Sequence, residues 1–222
     1  KDNVVLFVHG ATYPSETGFD LRLEGLSWMD VMAQQGYDVY MVDIRGYGKS
    51  SRPASMDQPA ANNKPIADSD TAARDYAAAA DWVRKRRNVD KLNVVGHSWG
   101  TVITALYTTR HADKVNRLVL YAPVWLRKTA SLTDSGGALG AYRTVTVEAA
   151  RKRKETGLKP GQNPQPDSWF EAWVAATFES DPVGAKASPK FVRAPNGSVQ
   201  DSRQYWSAGK PVYDPTLLTV PT

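Results

Sequence analysis

The sequence contains no cysteine. That absence excludes a disulfide framework, a thiolate metal site and a cysteine nucleophile, and it fits any compartment. Long apolar runs are also missing. The longest, at residues 4–8 and 37–44, fall far short of the roughly 20 residues that cross a bilayer, so no membrane span is expected. Histidine is scarce, with His9, His97 and His111 and none beyond. No cluster of His, Asp and Glu has metal-ligand spacing, so neither a metal nor another cofactor is expected. The opening Lys1-Asp2-Asn3 carries no Met and no basic-then-apolar leader, and it reads as internal to a longer chain. A soluble protein is expected, and the compartment, cytoplasmic or exported, stays open.

What is present is ordinary globular composition. The 222 residues are 41% hydrophobic and 23% charged, which is enough to bury a substantial core. Lys and Arg outnumber Asp and Glu by 28 to 23, a formal net charge of +5. Much of the excess sits in two runs, Arg84-Lys85-Arg86-Arg87 and Arg151-Lys152-Arg153-Lys154. Each reads as the solvated C-terminal end of a helix, where cations suit the macrodipole. No zinc-finger, RNP or homeodomain pattern accompanies them, so nucleic acid is not an expected partner. The oligomeric state is not legible.

Hydrophobic periodicity gives the organisation. Residues 3–9 (NVVLFVH), 37–44 (YDVYMVDI), 92–95 and 115–121 (VNRLVLY) read as strands. Residues 21–35, 68–87 and 101–110 read as helices, with Asp68, Ser69 or Asp70 as a cap for the second. Alternation of this kind predicts an α/β fold, a mostly parallel sheet with helices on both faces. After Pro123 the alternation stops, and helices are expected at 138–156 and 168–180, with 158–166 as the most linker-like stretch. The expected domains are a core over 1–123, a helical cap or lid over 124–210, and a return to the core over 211–222, approaching a further strand.

The chemistry concentrates at Gly96-His97-Ser98-Trp99-Gly100. Gly-x-Ser-x-Gly lies directly after a predicted strand and before a predicted helix. A serine on that sharp turn exposes its hydroxyl above the sheet, and side chains at the two glycine positions would collide with neighbouring elements. The following helix N-terminus supplies amide donors and positive dipole to an oxyanion. His97 is expected to point the other way on the turn. Gly48-Lys49-Ser50 is not a phosphate-binding loop, because that motif needs glycine where Asp43 stands.

In its order of motifs the sequence resembles the α/β-hydrolase family, in the manner of the capped serine esterases and lipases. The resemblance spans residues 3–123 and resumes near the end. His9-Gly10-Ala11 is similar to the family's oxyanion-hole segment, and Asp43-Ile44-Arg45-Gly46-Tyr47-Gly48-Lys49-Ser50 to its loop after the next strand. Leu118-Val119-Leu120-Tyr121-Ala122-Pro123 is similar to the strand that precedes a cap. The resemblance implies that Ser98 is the nucleophile and that the backbone amides of Ala11 and Trp99 form the oxyanion hole. It implies hydrolysis of a small ester with apolar groups through an acyl-enzyme. Tyr13 and Trp125 are the expected pocket residues.

The family's triad order is serine, acid, histidine. No histidine follows His111, and no carboxylate follows Tyr121 directly. Four strands are visible where the family's sheet has about eight, so the acid and the histidine are expected beyond Thr222. A prolyl aminopeptidase-like peptidase is the alternative, with Glu171 and Glu179 as its candidate amine readers. Carbon–carbon hydrolase or acyltransferase chemistry, or a non-catalytic binding protein that kept the turn, also stay open.

Overall fold

The computed structural model of the protein describes residues 3–159, 161–163 and 165–222. The linker-like stretch 158–166 therefore includes two residues, 160 and 164, that lie outside those described.

Strand β1 (Val4–Val8) is buried at all five positions. Val4, Leu6 and Val8 join one core layer with Ala72, Tyr76 and Ile103. Val5 and Phe7 turn to the opposite face, against Phe19, Met29 and Met32. A strand apolar at every position is what helices on both faces require. Strand β2 (Asp38–Val42), β3 (Leu92–His97) and β4 (Val115–Tyr121) complete a four-stranded sheet. Its order is β2-β1-β3-β4, and every pairing is parallel. The predicted α/β architecture is thus observed.

Among the described residues two α-helices precede β2, two more lie between β2 and β4, and three α-helices and a two-stranded ribbon follow β4. Helix α1 (Ser15–Phe19) is a single short turn that periodicity does not reveal. Helix α2 (Trp28–Gln34) is much shorter than the predicted 21–35. Ser27 fixes its start, because its hydroxyl accepts from the Asp30 amide while the Asp30 carboxylate accepts from the Ser27 amide, each at 3.0 Å. Upstream, Leu23 and Leu26 form an isolated antiparallel bridge instead of a helical turn. Helix α3 (Ser69–Arg87) follows its prediction, with the Asp68 carboxylate capping the Thr71 amide at 2.7 Å. Its last turn holds Arg84, Lys85, Arg86 and Arg87 as expected. Helix α4 (Trp99–Arg110) leaves β3 directly.

Beyond β4 the prediction of a wholly helical segment fails. Residues 142–146 (YRTVT) form strand β5 (Tyr142–Thr146), antiparallel to β6 (Phe191–Pro195). Tyr, Thr and Val at these positions favour a pleated strand over a helix. Helix α5 (Val147–Lys154) begins only after the Thr146 hydroxyl caps the Ala149 amide. Helix α6 (Asp167–Glu179) matches the predicted 168–180 within a residue, and α7 (Gly197–Gln204) follows β6.

A buried ion pair anchors the ribbon. Arg193 donates to the Asp181 carboxylate, with Nη2 at 2.8 Å, and its Nη1 reaches the Met56 carbonyl at 2.6 Å. That second bond ties β6 to the loop after β2. Further on, Leu218 and Val220 pack on the main core, and the Pro221 carbonyl accepts from the Leu118 amide of β4 at 2.9 Å.

Candidate active site

Ser98 sits alone between β3 and α4 with φ +54° and ψ −118°. An L-residue there is strained and persists only where its surroundings hold it. The Ser98 amide donates to the Tyr121 carbonyl of β4 at 3.0 Å. The Ser98 carbonyl accepts from the Thr101 amide at 2.9 Å and from the Thr101 hydroxyl at 2.6 Å. Both flanking glycines are sterically required. A Cβ at Gly96 would lie 2.3 Å from the Gly100 carbonyl oxygen. A Cβ at Gly100 would lie 2.6 Å from the Val8 oxygen and 2.7 Å from the His9 oxygen. The start of α4 is thereby seated on the end of β1.

The segment after β1 closes on the same serine. A Cβ at Gly10 would stand 3.1 Å from Ser98 Cβ. His9 is buried, and its Nε2 accepts from the Ile44 amide at 3.1 Å. Nδ1 therefore carries the hydrogen and donates to the Gly10 carbonyl at 2.6 Å. Burial lowers the His9 pKa against the opposing pull of Asp43 and of the Gly10 carbonyl, so the ring is neutral. The Ala11 carbonyl accepts from the Tyr47 hydroxyl at 3.0 Å and from Arg143 Nη2 at 2.7 Å. Burial pushes the Tyr47 phenol up to about 12, which keeps it a donor.

This is the place where strand order reverses. From β1 the chain moves outward to β2 and then returns to β3 on the other side of β1. Loops leaving β1 and β3 diverge there, and a crevice opens at the carboxyl ends of the strands.

Two cavities open on Ser98. The first, about 230 Å³, runs between Gly10, Ala11, Tyr13, Phe19 and Trp173. The second, about 190 Å³, runs between Ala11, Trp99, Trp125 and Trp206. Tyr13 thus faces the first cavity, edge-on to Trp173 with ring centroids 4.7 Å apart. Trp125 borders the second and is 65% exposed. His97 does not point away as predicted. It lines the first cavity, its ring 5.2 Å from that of Tyr121, and burial together with neighbouring His9 lowers its pKa.

The sequence matches the family described as alpha/beta hydrolase fold over residues 3–211. The chain belongs to that family. Among curated proteins it is 26% identical over 191 residues to the human 1-acylglycerol-3-phosphate O-acyltransferase ABHD5, covering 82% of this chain and 51% of that protein. The rat counterpart is 25% identical over the same length. The chain spans about half the length of the curated relatives it matches. Among solved structures, a thioesterase domain from the curacin biosynthetic pathway superposes with a TM-score of 0.56 at 16% identity, covering 100% of this chain and 74% of that one. A methylesterase from Arabidopsis gives 0.56 at 18% identity, covering 98% and 75%. At these identities the likeness is one of fold.

Other motifs of this α/β hydrolase fall into place as supports. The Asp43 carboxylate accepts from the Ser15 amide at 2.7 Å and the Lys49 amide at 3.0 Å. Gly48, at φ +47°, presses so close to it that a Cβ would lie 2.0 Å from Asp43 Oδ2. Trp99 donates from its indole to the Ser69 hydroxyl at 2.9 Å, fixing α4 against α3. Glu171 and Glu179 border neither cavity. Among the described residues no group of three His, Cys, Asp or Glu could hold a metal, and no helix is long and apolar enough to cross a membrane.

Sequence reasoning missed three cations. Arg143 on β5 reaches the Ala11 carbonyl, and Arg153 and Lys154 on α5 border the first cavity. The basic run of α5 is therefore not simply a wet face. Arg151 lies 4.2 Å over the Phe170 ring and Lys154 lies 4.3 Å over that of Trp173. Only the β-branched stretch before α5 hinted at a strand that would carry Arg143 inward.

Proposed function

We propose that the protein is a serine hydrolase that cleaves carboxylic esters bearing apolar groups, through an acyl-enzyme on Ser98. The observation that carries this reading is the close approach of Gly10 to Ser98, on a turn held at positive φ by hydrogen bonds at both ends. It supports a reading in which the Ala11 and Trp99 amides form the oxyanion hole.

Ser98 Oγ attacks the ester carbonyl carbon and gives up its proton to a base. The carbonyl oxygen becomes an oxyanion held by the Ala11 and Trp99 amides. The carbon–oxygen bond to the alcohol then breaks, and the alcohol leaves with the proton from the base. Water, deprotonated by the same base, attacks the acyl-enzyme and releases the acid, returning the proton to Ser98. Residues 124–210 act as the cap, with Tyr13 and Trp125 bordering the substrate. The base is none of the three histidines. Both nitrogens of His9 are engaged, and His111 caps the far end of α4. His97 makes no hydrogen bond to Ser98 among the described residues.

The test is turnover of short p-nitrophenyl esters by the full-length protein and its Ser98→Ala variant. Loss of activity in the variant supports the reading, and equal activity refutes it. An aminopeptidase needs acids to read the substrate amine, and the acid Glu179 is instead paired with Lys190. A second reading, acyl transfer to an alcohol, is favoured by the acyltransferase named among the curated relatives and by the presence of two cavities at one serine. Partition of the acyl group between water and added glycerol distinguishes it.

A further inference from the structure

The walls of both cavities at Ser98 carry charge of one sign. Arg153 and Lys154 border the first, and Arg127 and Arg153 border the second. Among the described residues neither wall contains an Asp or Glu. Several arginines elsewhere find carboxylates: Arg45 meets Asp75, Arg84 meets Asp81, Arg193 meets Asp181 and Arg203 meets Asp134. The Arg153 guanidinium makes no hydrogen bond or ion pair among the described residues, although it is the charged side chain shared by both cavities. Its neighbours are held without acids as well. Arg127 lies 5.3 Å over the Trp125 ring and donates to the Thr129 carbonyl at 3.2 Å. Lys154 is packed over Trp173, and burial lowers its pKa.

A helix C-terminus accounts for cations in the last turn of α5, but not for the exclusion of carboxylates from two cavity walls. Unpaired cations beside a reacting carbonyl raise the local concentration of anions and hold them by charge-assisted hydrogen bonds. Arginine does so with a planar fork matched to carboxylate and phosphate.

We propose that the ester cleaved at Ser98 is anionic, bearing a carboxylate or phosphate group that seats on Arg153. This inference rests on the reading of Ser98 as nucleophile and adds the substrate's charge to it. If the anion is on the acyl part, the substrate is a half-ester of a dicarboxylic acid. If it is on the alcohol part, the substrate is an acyl ester of a phosphorylated alcohol.

The experiment compares two matched pairs of esters: neutral p-nitrophenyl butyrate against anionic p-nitrophenyl hemiglutarate, and neutral butyryl glycerol against butyryl glycerol phosphate, the second pair followed by titration of released acid. The full-length protein is expected to favour the anionic ester of one pair over its neutral partner by about tenfold or more in kcat/KM, the size of one good charge-assisted contact. The identity of the favoured ester tells which side carries the charge. Arg153→Gln is expected to shrink that preference about tenfold, and Arg153→Lys to restore part of it. Added salt is expected to weaken the preference. A preference for the neutral ester in both pairs, or an equal loss on all four esters in Arg153→Gln, overturns the proposal. If no ester turns over, glutarate and inorganic phosphate binding to the Ser98→Ala protein decides it by calorimetry. Binding weakened about tenfold by Arg153→Gln supports the anion site even where the nucleophile assignment has failed. Absent or unaltered binding overturns it.

Discussion

Arg143 Nη2 donates to the Ala11 carbonyl at 2.7 Å, joining the β5–β6 ribbon to the loop that closes on Ser98. The same guanidinium reaches the Thr12 hydroxyl at 3.0 Å and the Pro195 carbonyl at 2.9 Å. Its acceptors are neutral, and it holds the loop whose Ala11 amide belongs to the proposed oxyanion hole.

Removing it should loosen that loop without touching the nucleophile. Hydrogen bonds from a charged donor are worth about 1.5–3 kcal/mol each way of counting, so Arg143→Ala is expected to lower kcat/KM roughly 10- to 100-fold. The loss should fall mainly on kcat, because an oxyanion donor acts in the transition state. Steady-state kinetics on a p-nitrophenyl ester checks this, and a change confined to KM would contradict it.

The turn glycines make a stability prediction. A methyl at Gly96 has the Gly100 carbonyl 2.3 Å away and cannot be relieved by a side-chain rotation. Gly96→Ala is expected to destabilise the fold by about 3 kcal/mol or more, with Gly100→Ala similar, within the range of severe overpacking. Gly18→Ala, where nothing lies within 4 Å, is the control and should melt like the parent. Thermal melts of the three variants beside the parent decide it.

The buried Asp181–Arg193 pair predicts an acid limit. Burial raises the Asp181 pKa, but bonds from Arg193 and from the Val183, Arg193 and Gly184 amides outweigh it and hold the carboxyl below its ordinary value. The unfolded chain then binds more protons than the folded one between the two pKa values. The pair's contribution is fully present above the unfolded value of about 4 and is lost as pH falls through the folded value. Asp181→Asn leaves Arg193 buried and unpaired, at a cost of about 3–5 kcal/mol. The variant's stability, followed by denaturant unfolding, should depend less on pH in acid than the parent's.

His9 offers a spectroscopic prediction. The Ile44 amide points at Nε2, so the neutral ring must carry its hydrogen on Nδ1. Its pKa is lowered, so its contribution to stability is complete above the unfolded value of about 6.5 and fades as pH drops through the folded value. Long-range nitrogen–proton spectra at neutral pH should show Nδ1 protonated and Nε2 bare. A protonated Nε2 would contradict the arrangement.

Elements with strong local signals were legible in the sequence. Strand β1, helix α3 and the β3–Ser98–α4 turn are set by runs of apolar residues, an Asp68 cap and two obligate glycines, all contiguous in the chain. The ribbon was not legible, because β5 finds its partner β6 only after two intervening helices. The helix predicted over residues 138–156 ran through the Tyr-Arg-Thr-Val-Thr stretch, although its composition argued for a strand. Arg143 and Arg153 reach the site through that non-local fold, so no spacing rule could have placed them beside Ser98. Periodicity also overextended α2, where side-chain capping at Ser27 decides the boundary.

The central claim is that Ser98 is an activated nucleophile. The most direct measurement is the intact mass of the full-length protein after treatment with a fluorophosphonate, with peptide mapping of the adduct. The account predicts a single adduct on Ser98 that is absent from Ser98→Ala. An unmodified protein, or an adduct on another residue that persists in the variant, would contradict it.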